Sequence, residues 1–347
     1  MRARPLRSLL PAVVVAVVVL ILGACAQRAE PVEHLAHAPA DGFVHFRSAN
    51  TIFPSIDRRM IPVEDVTIRG RIDLPPEPRA GAVPAVVMIH GSGGFNREQM
   101  RQYAGVFNEA GIATFAVDSF GPRHITHTRG RQHLLPMANH MYDAYRALEV
   151  LRTHPAIDPD RIGITGWSRG GIVSMDAWFE RNRLEYIEHN GSDPDLRFAA
   201  HFPVYPHCGG QDEEMVTTGA PMTIAVGSVD DWTGVVTCEI LVERAREAGG
   251  RIDLIVYEGA HHGFDAPGNF HRRLSDGNSV VECGWIRGDD HFTDLMTGER
   301  YPWGEDWAVW NEWWADCISR GVTVASHREA RARVLQDARE FFESALE

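Results

Sequence analysis

Ser168, Asp230 and His262 stand in an order, and in local settings, that suit nucleophilic acyl transfer. A serine hydroxyl attacks a carbonyl only when a neighbouring base takes its proton, and histidine is the side chain whose basicity lies near neutrality. A carboxylate then fixes the imidazole tautomer and stabilises its protonated form. Ser168 lies in Gly166-Trp167-Ser168-Arg169-Gly170-Gly171, a G-x-S-x-G pattern between a β-prone run, Arg161 to Thr165, and a helix-compatible run from Gly171 to Trp178. So sharp a turn from strand to helix pushes the hydroxyl out above a sheet. Glycines two before and two after the serine avoid Cβ collisions there.

The other parts of the chemistry have candidates too. Asp230 lies in Gly227 to Thr233, just past a strand over Met222 to Val226; Asp231 is the reserve acid, and one of the two is expected to cap the following helix. His262 lies in Glu258 to Asp265, after a strand over Ile252 to Tyr257 and directly before Gly263-Phe264, with His261 as a structural neighbour. An anionic tetrahedral intermediate needs preorganised N–H donors. The amide of Arg169 and one from the His90-Gly91-Ser92-Gly93-Gly94 loop, at Ser92 or Gly93, are the candidates for that oxyanion hole. Arg123, Trp167 and Trp232 are candidate substrate-binding residues; Arg123 either holds a substrate carboxylate or closes a structural ion pair. His124, His127, His133 and His140 lack regular metal-ligand spacing or a cysteine partner and read as loop histidines. This chemistry requires no metal and no organic cofactor.

An α/β architecture must position these residues. Continuous or alternating apolar runs predict strands over Val66 to Leu74 (an antiparallel edge), Ala85 to His90, Ile112 to Val117, Arg161 to Thr165, Phe198 to Val204, Met222 to Val226 and Ile252 to Tyr257. Helices are predicted over Arg97 to Ala110, Met137 to Thr153, Val235 to Ala248 and Ser326 to Leu346. Such alternation implies a mostly parallel sheet covered on both faces, with the ligand beyond the C-terminal strand ends. Every candidate catalytic residue falls at one of those ends.

With these stretches, and with Asp118-Ser119-Phe120-Gly121-Pro122-Arg123, the sequence resembles the α/β-hydrolases of the dienelactone hydrolase-like family over roughly residues 60–265 and the last helix. The resemblance implies a Ser168–Asp230–His262 triad and hydrolysis of an ester or related acyl bond. Dienelactone hydrolases proper use a cysteine nucleophile; here the nucleophile is serine, which favours general esterase chemistry on a small-molecule ester. A peptidase or acyltransferase with the same triad, or a non-catalytic surface-binding lipoprotein on the same fold, are the alternatives.

Residues 266–325 break the alternation and hold Trp285, Trp303, Trp307, Trp310, Trp313 and Trp314. Trp303, Trp307, Trp310 and Trp314 have the spacing of one helical stripe. The insertion is expected either to build its own small core or to form an aromatic wall or lid over the site.

The chain's 347 residues carry a formal net charge of −13, which argues against a nucleic-acid partner. All of its basic side chains besides histidine are arginine. Arg2, Arg4 and Arg7 precede an apolar run from Leu9 to Gly23, which ends in Leu22-Gly23-Ala24-Cys25. That pattern resembles a lipoprotein signal peptide over residues 1–24, with Cys25 lipidated, residues 25–40 as a tether and 41–347 as the hydrolase domain. Export to the cell envelope and attachment to a membrane through the lipid are expected, at the outer membrane or periplasmic face. The oligomeric state is left open. In an oxidising compartment the remaining cysteines are expected to pair as Cys208–Cys238 and Cys283–Cys317, each within one local region.

Overall fold

The computed structural model describes residues 31–35, 41–51, 60–76, 81–303 and 308–347. The expected signal peptide, the expected lipidation site at Cys25 and Trp307 therefore lie outside the described residues. No helix among the described residues is long and apolar enough to cross a membrane.

Eight strands form the central sheet: β1 (Asp41–Thr51), β2 (Pro62–Asp73), β3 (Val83–Ile89), β4 (Ala113–Asp118), β5 (Ile157–Trp167), β6 (His201–Val204), β8 (Met222–Gly227) and β9 (Ile252–Tyr257). A short β7 (Gly210–Asp212) lies outside it. The order across the sheet is β1-β2-β4-β3-β5-β6-β8-β9. β1, β2 and β4 pair antiparallel, and every other pairing in the sheet is parallel. β3, β4, β5 and β6 are buried along most of their length, as expected of strands covered on both faces.

The helices are α1 (Arg97–Glu109), α2 (Met137–Leu151), α3 (Arg169–Asp176), α4 (Glu180–Asn190), α5 (Val236–Glu247), α6 (Ala308–Cys317) and α7 (Arg328–Ala345). α1 begins where the Asn96 side chain accepts hydrogen bonds from the Glu98 and Gln99 amides, satisfying donors that have no partner within the helix. On one face α2 buries Tyr145 and Leu148 in a cluster with Ile89 and Ile164; on the other, Phe107 of α1 and Val334 and Phe342 of α7 join Met88 and Phe202.

Two expectations change here. The strand expected at Val66 to Leu74 as a sheet edge is internal, because β1 pairs along its outer side. The tether expected over residues 25–40 includes a docked stretch: Val32 bridges to Phe46 of β1, the Leu35 side chain is fully buried, and its amide donates to Thr153 Oγ1.

The two expected disulfides are present. Cys208–Cys238 joins the segment after β6 to the first turn of α5, and Cys283–Cys317 closes the insertion.

His201 in β6 predicts an acid limit to stability. It is fully buried and donates from Nδ1 to the Ser174 carbonyl, a bond that opposes the fall in its pKa. Burial nevertheless pulls that pKa from 6.5 down to about 4. The unfolded chain therefore takes up this proton first. The folded state keeps its full advantage above pH 6.5 and loses it as pH falls towards 4, by ~3 kcal/mol for a shift of this size. Burial likewise holds His140 well below its ordinary value, with the His90 ring beside it acting in the same sense. Neither ring nitrogen of His140 has a hydrogen-bond partner among the described residues. The urea midpoint is expected to fall steadily from pH 7 to 4.5, and His140→Phe to flatten that slope.

Candidate active site

Ser168 occupies the turn between β5 and α3 at φ 54° and ψ −115°, a left-handed conformation that costs a non-glycine residue roughly 1–3 kcal/mol. The glycines around it are required by contact. A Cβ on Gly170 would overlap the Ile89 carbonyl oxygen and lie 2.7 Å from His90 O; one on Gly166 would lie 2.8 Å from Ile89 O, and one on Gly171 2.8 Å from Val204 O. These obstacles are backbone atoms of the central strands and of the turns that follow them, which have little freedom to retreat. Gly170→Ala is expected to destabilise the fold by about 3 kcal/mol or more, read as a lower urea midpoint.

The structure brings together the three residues singled out by order. His262 Nε2 lies 2.9 Å from Ser168 Oγ, and His262 Nδ1 lies 2.8 Å from Asp230 Oδ2. Asp230 and His262 are buried, and Ser168 opens onto a cavity of about 420 Å³. Asp230 Oδ1 accepts from the amides of Trp232 (2.8 Å) and Thr233 (3.0 Å), so its carboxylate also ties the turn before α5. Burial pushes the Asp230 carboxyl up, but the adjacent His262 imidazole and these amides outweigh it and hold the carboxyl below the usual range. Asp231, the reserve acid, turns away to Thr323 in the insertion. The Tyr205 and Trp232 rings pack against His262 at centroid distances of 4.6 and 4.7 Å.

The glycine loop borders the same cavity through Gly91, Ser92, Gly93 and Gly94. A Cβ on Gly91 would lie 2.8 Å from Trp167 O and 3.3 Å from Ser168 Cβ, so the loop backbone passes directly over the serine turn. Arg169 is the first residue of α3. Its guanidinium, nearly buried, donates to Gln132 Oε1 at 2.7 Å and to the Leu135 carbonyl. Gln132 Nε2 in turn donates to Ser92 Oγ at 3.0 Å, and the Thr128 amide donates to Ser92 O at 2.8 Å. Gln132 thus knots the glycine loop to the serine turn. Its sequence setting, a polar stretch rich in arginine and histidine, gives no sign of this role.

Trp167 and Trp232 line the cavity; Arg123 does not. Arg123 donates to both oxygens of Asp143 at 2.7 and 3.0 Å, and to Asn50 Oδ1, Ser119 O and Ala49 O. Its side chain is 8% exposed, so the substrate-carboxylate role gives way to the structural ion pair. The arginines that do line the cavity are Arg129 and Arg272, neither singled out by pattern. Among the described residues no group of histidine, cysteine and carboxylate side chains could hold a metal ion.

Asp265 was also missed. It is fully buried and accepts from Tyr103 (2.8 Å), Tyr205 (2.6 Å) and Gln99 (3.0 Å), which anchors the loop carrying His262. Burial raises its pKa despite those donors.

Among the described residues, the tryptophans of the insertion do not wall the site. Phe292 and Trp313, with Trp285, Trp303, Trp310 and Trp314 around them, form a separate small core beside the Cys283–Cys317 bond. Trp303 follows a strand rather than joining the helical stripe, of which α6 carries Trp310 and Trp314 among the described residues. That core rests on a four-stranded sheet of β7 with β11 (Trp285–Arg287), β12 (His291–Asp294) and β13 (Arg300–Pro302). The part of the insertion that does reach the cavity is the ribbon of β10 (His271–Ser279) and β14 (Ser319–Ala325), with the residues just before it.

A mostly parallel sheet flanked by helices, with a serine on a strained strand-to-helix turn and an acid and a histidine on later strand ends, defines the α/β-hydrolase fold. A sequence model of the dienelactone hydrolase family matches residues 68–292, and the chain belongs to that family. Among curated proteins, thiohydrolase aneE of Aspergillus aculeatus is 31% identical over 127 residues; the match covers 36% of this chain and 37% of that protein. The chain thus spans little more than a third of that relative's length. A solved structure described as "Putative Dienelactone Hydrolase" from Klebsiella pneumoniae subsp. pneumoniae MGH 78578 shares the fold, with a TM-score of 0.50 and 16% identity over 87% of this chain and 98% of the other. Thermogutta terrifontis esterase 2, in its tabun-phosphoramylated form, superposes with a TM-score of 0.48 and 20% identity over 65% of this chain and 86% of the other.

Proposed function

We propose that the protein is a serine hydrolase that cleaves a carboxylic ester or a related acyl bond such as a thioester. The observation that carries this reading is the unbroken relay from Ser168 Oγ through His262 to Asp230 at the floor of an open cavity. Ser168 attacks the carbonyl while His262 Nε2 takes its proton, and Asp230 holds the imidazole with Nδ1 protonated and stabilises the cation that forms. The amide of Arg169 and one from Ser92 or Gly93 receive the oxyanion. His262 then returns the proton to the leaving alcohol or thiol, and water repeats the path to release the acid. A thioester is included because the Aspergillus relative is named a thiohydrolase. Arg129 and Arg272 give the cavity wall positive charge, which favours acyl or alcohol groups that carry negative charge.

The N-terminal pattern supports export and attachment through a lipid on Cys25, with the hydrolase domain held at the cell envelope. Radiolabelled palmitate incorporated into the wild type and lost in Cys25→Ala tests that part.

For the enzyme, the full chain in detergent is expected to react with a fluorophosphonate and to hydrolyse short p-nitrophenyl esters. A folded protein inert to both sinks the hydrolase reading in favour of a binding platform.

A further inference from the structure

We propose that the β10–β14 ribbon is the substrate-selecting wall of the cavity and that Asp231 is the positioning residue that latches it over Ser168. This rests on the serine-hydrolase reading above and adds to it which element sets acyl-chain preference.

Phe270 precedes the ribbon, and Arg272, Leu274 and Val324 belong to it; all four line the cavity that Ser168 and His262 open into. Burial does little to hold β10 in place. Its sequence is polar, and along its length only Gly277 and Ser279 are buried. Its partner β14 buries Val322, Thr323 and Ala325, and hydrogen bonds tie the ribbon to the two loops that carry the acid and the base. Asp231 Oδ1 accepts from the Thr323 amide at 2.6 Å, and Asp231 Oδ2 from Thr323 Oγ1 at 2.8 Å. The Asp231 carbonyl accepts from Ser279 Oγ at 2.7 Å, and the Trp232 carbonyl from the Val280 amide at 2.8 Å. On the other side, the Ala325 amide donates to the His262 carbonyl at 3.2 Å. Arg273 adds a contact to Asp231 at 3.3 Å, but its side chain is largely in water and that of Asp231 is part-exposed, so it counts for little.

Asp231 has the right chemistry for a latch. One carboxylate grips two donors of a single residue, one from the backbone and one from the side chain, at charge-assisted strength. It sits next to Asp230 in the chain, so the turn that orients the imidazole also sets the distance from serine to wall. The disulfide Cys283–Cys317 pins the far end of the ribbon, near the paired Ser279 and Ser319, while the near end is held by the Asp231 carboxylate together with the backbone bridge from Val324 and Ala325 to His262.

The test compares kcat and KM for p-nitrophenyl acetate and octanoate in the full chain, its Asp231→Ala and Asp231→Asn variants, and Leu274→Ala. With the latch removed, the wall yields. The octanoate-to-acetate ratio of kcat/KM is expected to rise at least ~10-fold in Asp231→Ala, through KM for octanoate. Asparagine keeps an acceptor for the Thr323 amide, so Asp231→Asn is expected to restore the ratio to within about threefold of wild type. Leu274→Ala trims the wall without touching the latch and is expected to shift the ratio in the same direction, which keeps the proposal open to refutation if Asp231→Ala fails to fold. An unchanged ratio in Leu274→Ala, or a uniform loss on both esters in a folded Asp231→Ala, overturns the ribbon's role while leaving an active wild type as a hydrolase. A wild type inert to esters and to fluorophosphonate overturns both.

Discussion

Ser168→Ala is expected to lower kcat for ester hydrolysis by roughly 10⁴- to 10⁶-fold, while the protein stays folded. Alanine removes the atom proposed to form the acyl-enzyme, and among the described residues no other hydroxyl bonds His262 Nε2: Thr233 Oγ1 lies 3.4 Å from Nδ1, on the far side of the ring. The substitution deletes one oxygen at the cavity floor. It leaves the turn's contacts intact, because the Ser168 amide still donates to Val204 O at 2.9 Å and the Ser168 carbonyl still accepts from Ile172. The remaining rate reports what the proposed oxyanion donors, the glycine loop and the Arg169 amide, achieve with water alone. The variant should also lose fluorophosphonate labelling and keep the urea midpoint of the wild type. A variant with more than a tenth of wild-type kcat would mean that another group attacks the carbonyl.

The serine turn was legible in the sequence because its geometry tolerates so few residues. Gly166, Gly170 and Gly171 each abut backbone of a neighbouring strand end or turn, and such close approach leaves a fixed signature. Buried parallel strands are legible for a similar reason, since burial on both faces leaves a continuous apolar run. β1 was not. Its sequence, Asp-Gly-Phe-Val-His-Phe-Arg-Ser-Ala-Asn-Thr, mixes polar residues into both faces, and its place at the edge follows from pairing with β2 and from Phe46 entering the core. β10 left even less trace, because its sequence is polar and its position rests on pairing with β14 and not on an apolar pattern of its own. The tryptophan stripe misled for the opposite reason. Helical spacing was present, but Trp303, Trp310 and Trp314 also satisfy the small core that was the other expectation, with Trp303 tilted against Phe292 from outside the helix, and spacing does not distinguish the two. Arg123 shows the limit for single charges. Its place after a strand end suits a pocket, yet a carboxylate from α2, Asp143, reaches it first, and that meeting is a matter of tertiary packing.

Asp230→Asn separates the acid that orients the base from the acid that holds the wall. It is expected to lower kcat by roughly 10⁴-fold near neutral pH, because an amide in that place presents an N–H to His262 Nδ1 and favours the tautomer with its proton on Nε2. That tautomer has no lone pair for the serine proton. Asparagine still offers an oxygen to the Trp232 and Thr233 amides, so the turn before α5 should persist and the loss should fall on kcat far more than on folding. The stability effect has a definite sign. The folded-state pKa of Asp230 lies below its unfolded value, so the carboxylate stabilises the fold above the unfolded pKa of about 4 and loses that advantage as pH falls through the folded value. The wild type should therefore exceed Asp230→Asn in urea midpoint at pH 7, and the gap should close in acid. The contrast with Asp231→Asn is decisive: two adjacent aspartates receive the same chemical change, and only one change removes turnover of acetate. If both variants lose activity to the same extent, the assignment of the triad acid from the His262 contact is wrong, and the turn as a whole carries the effect.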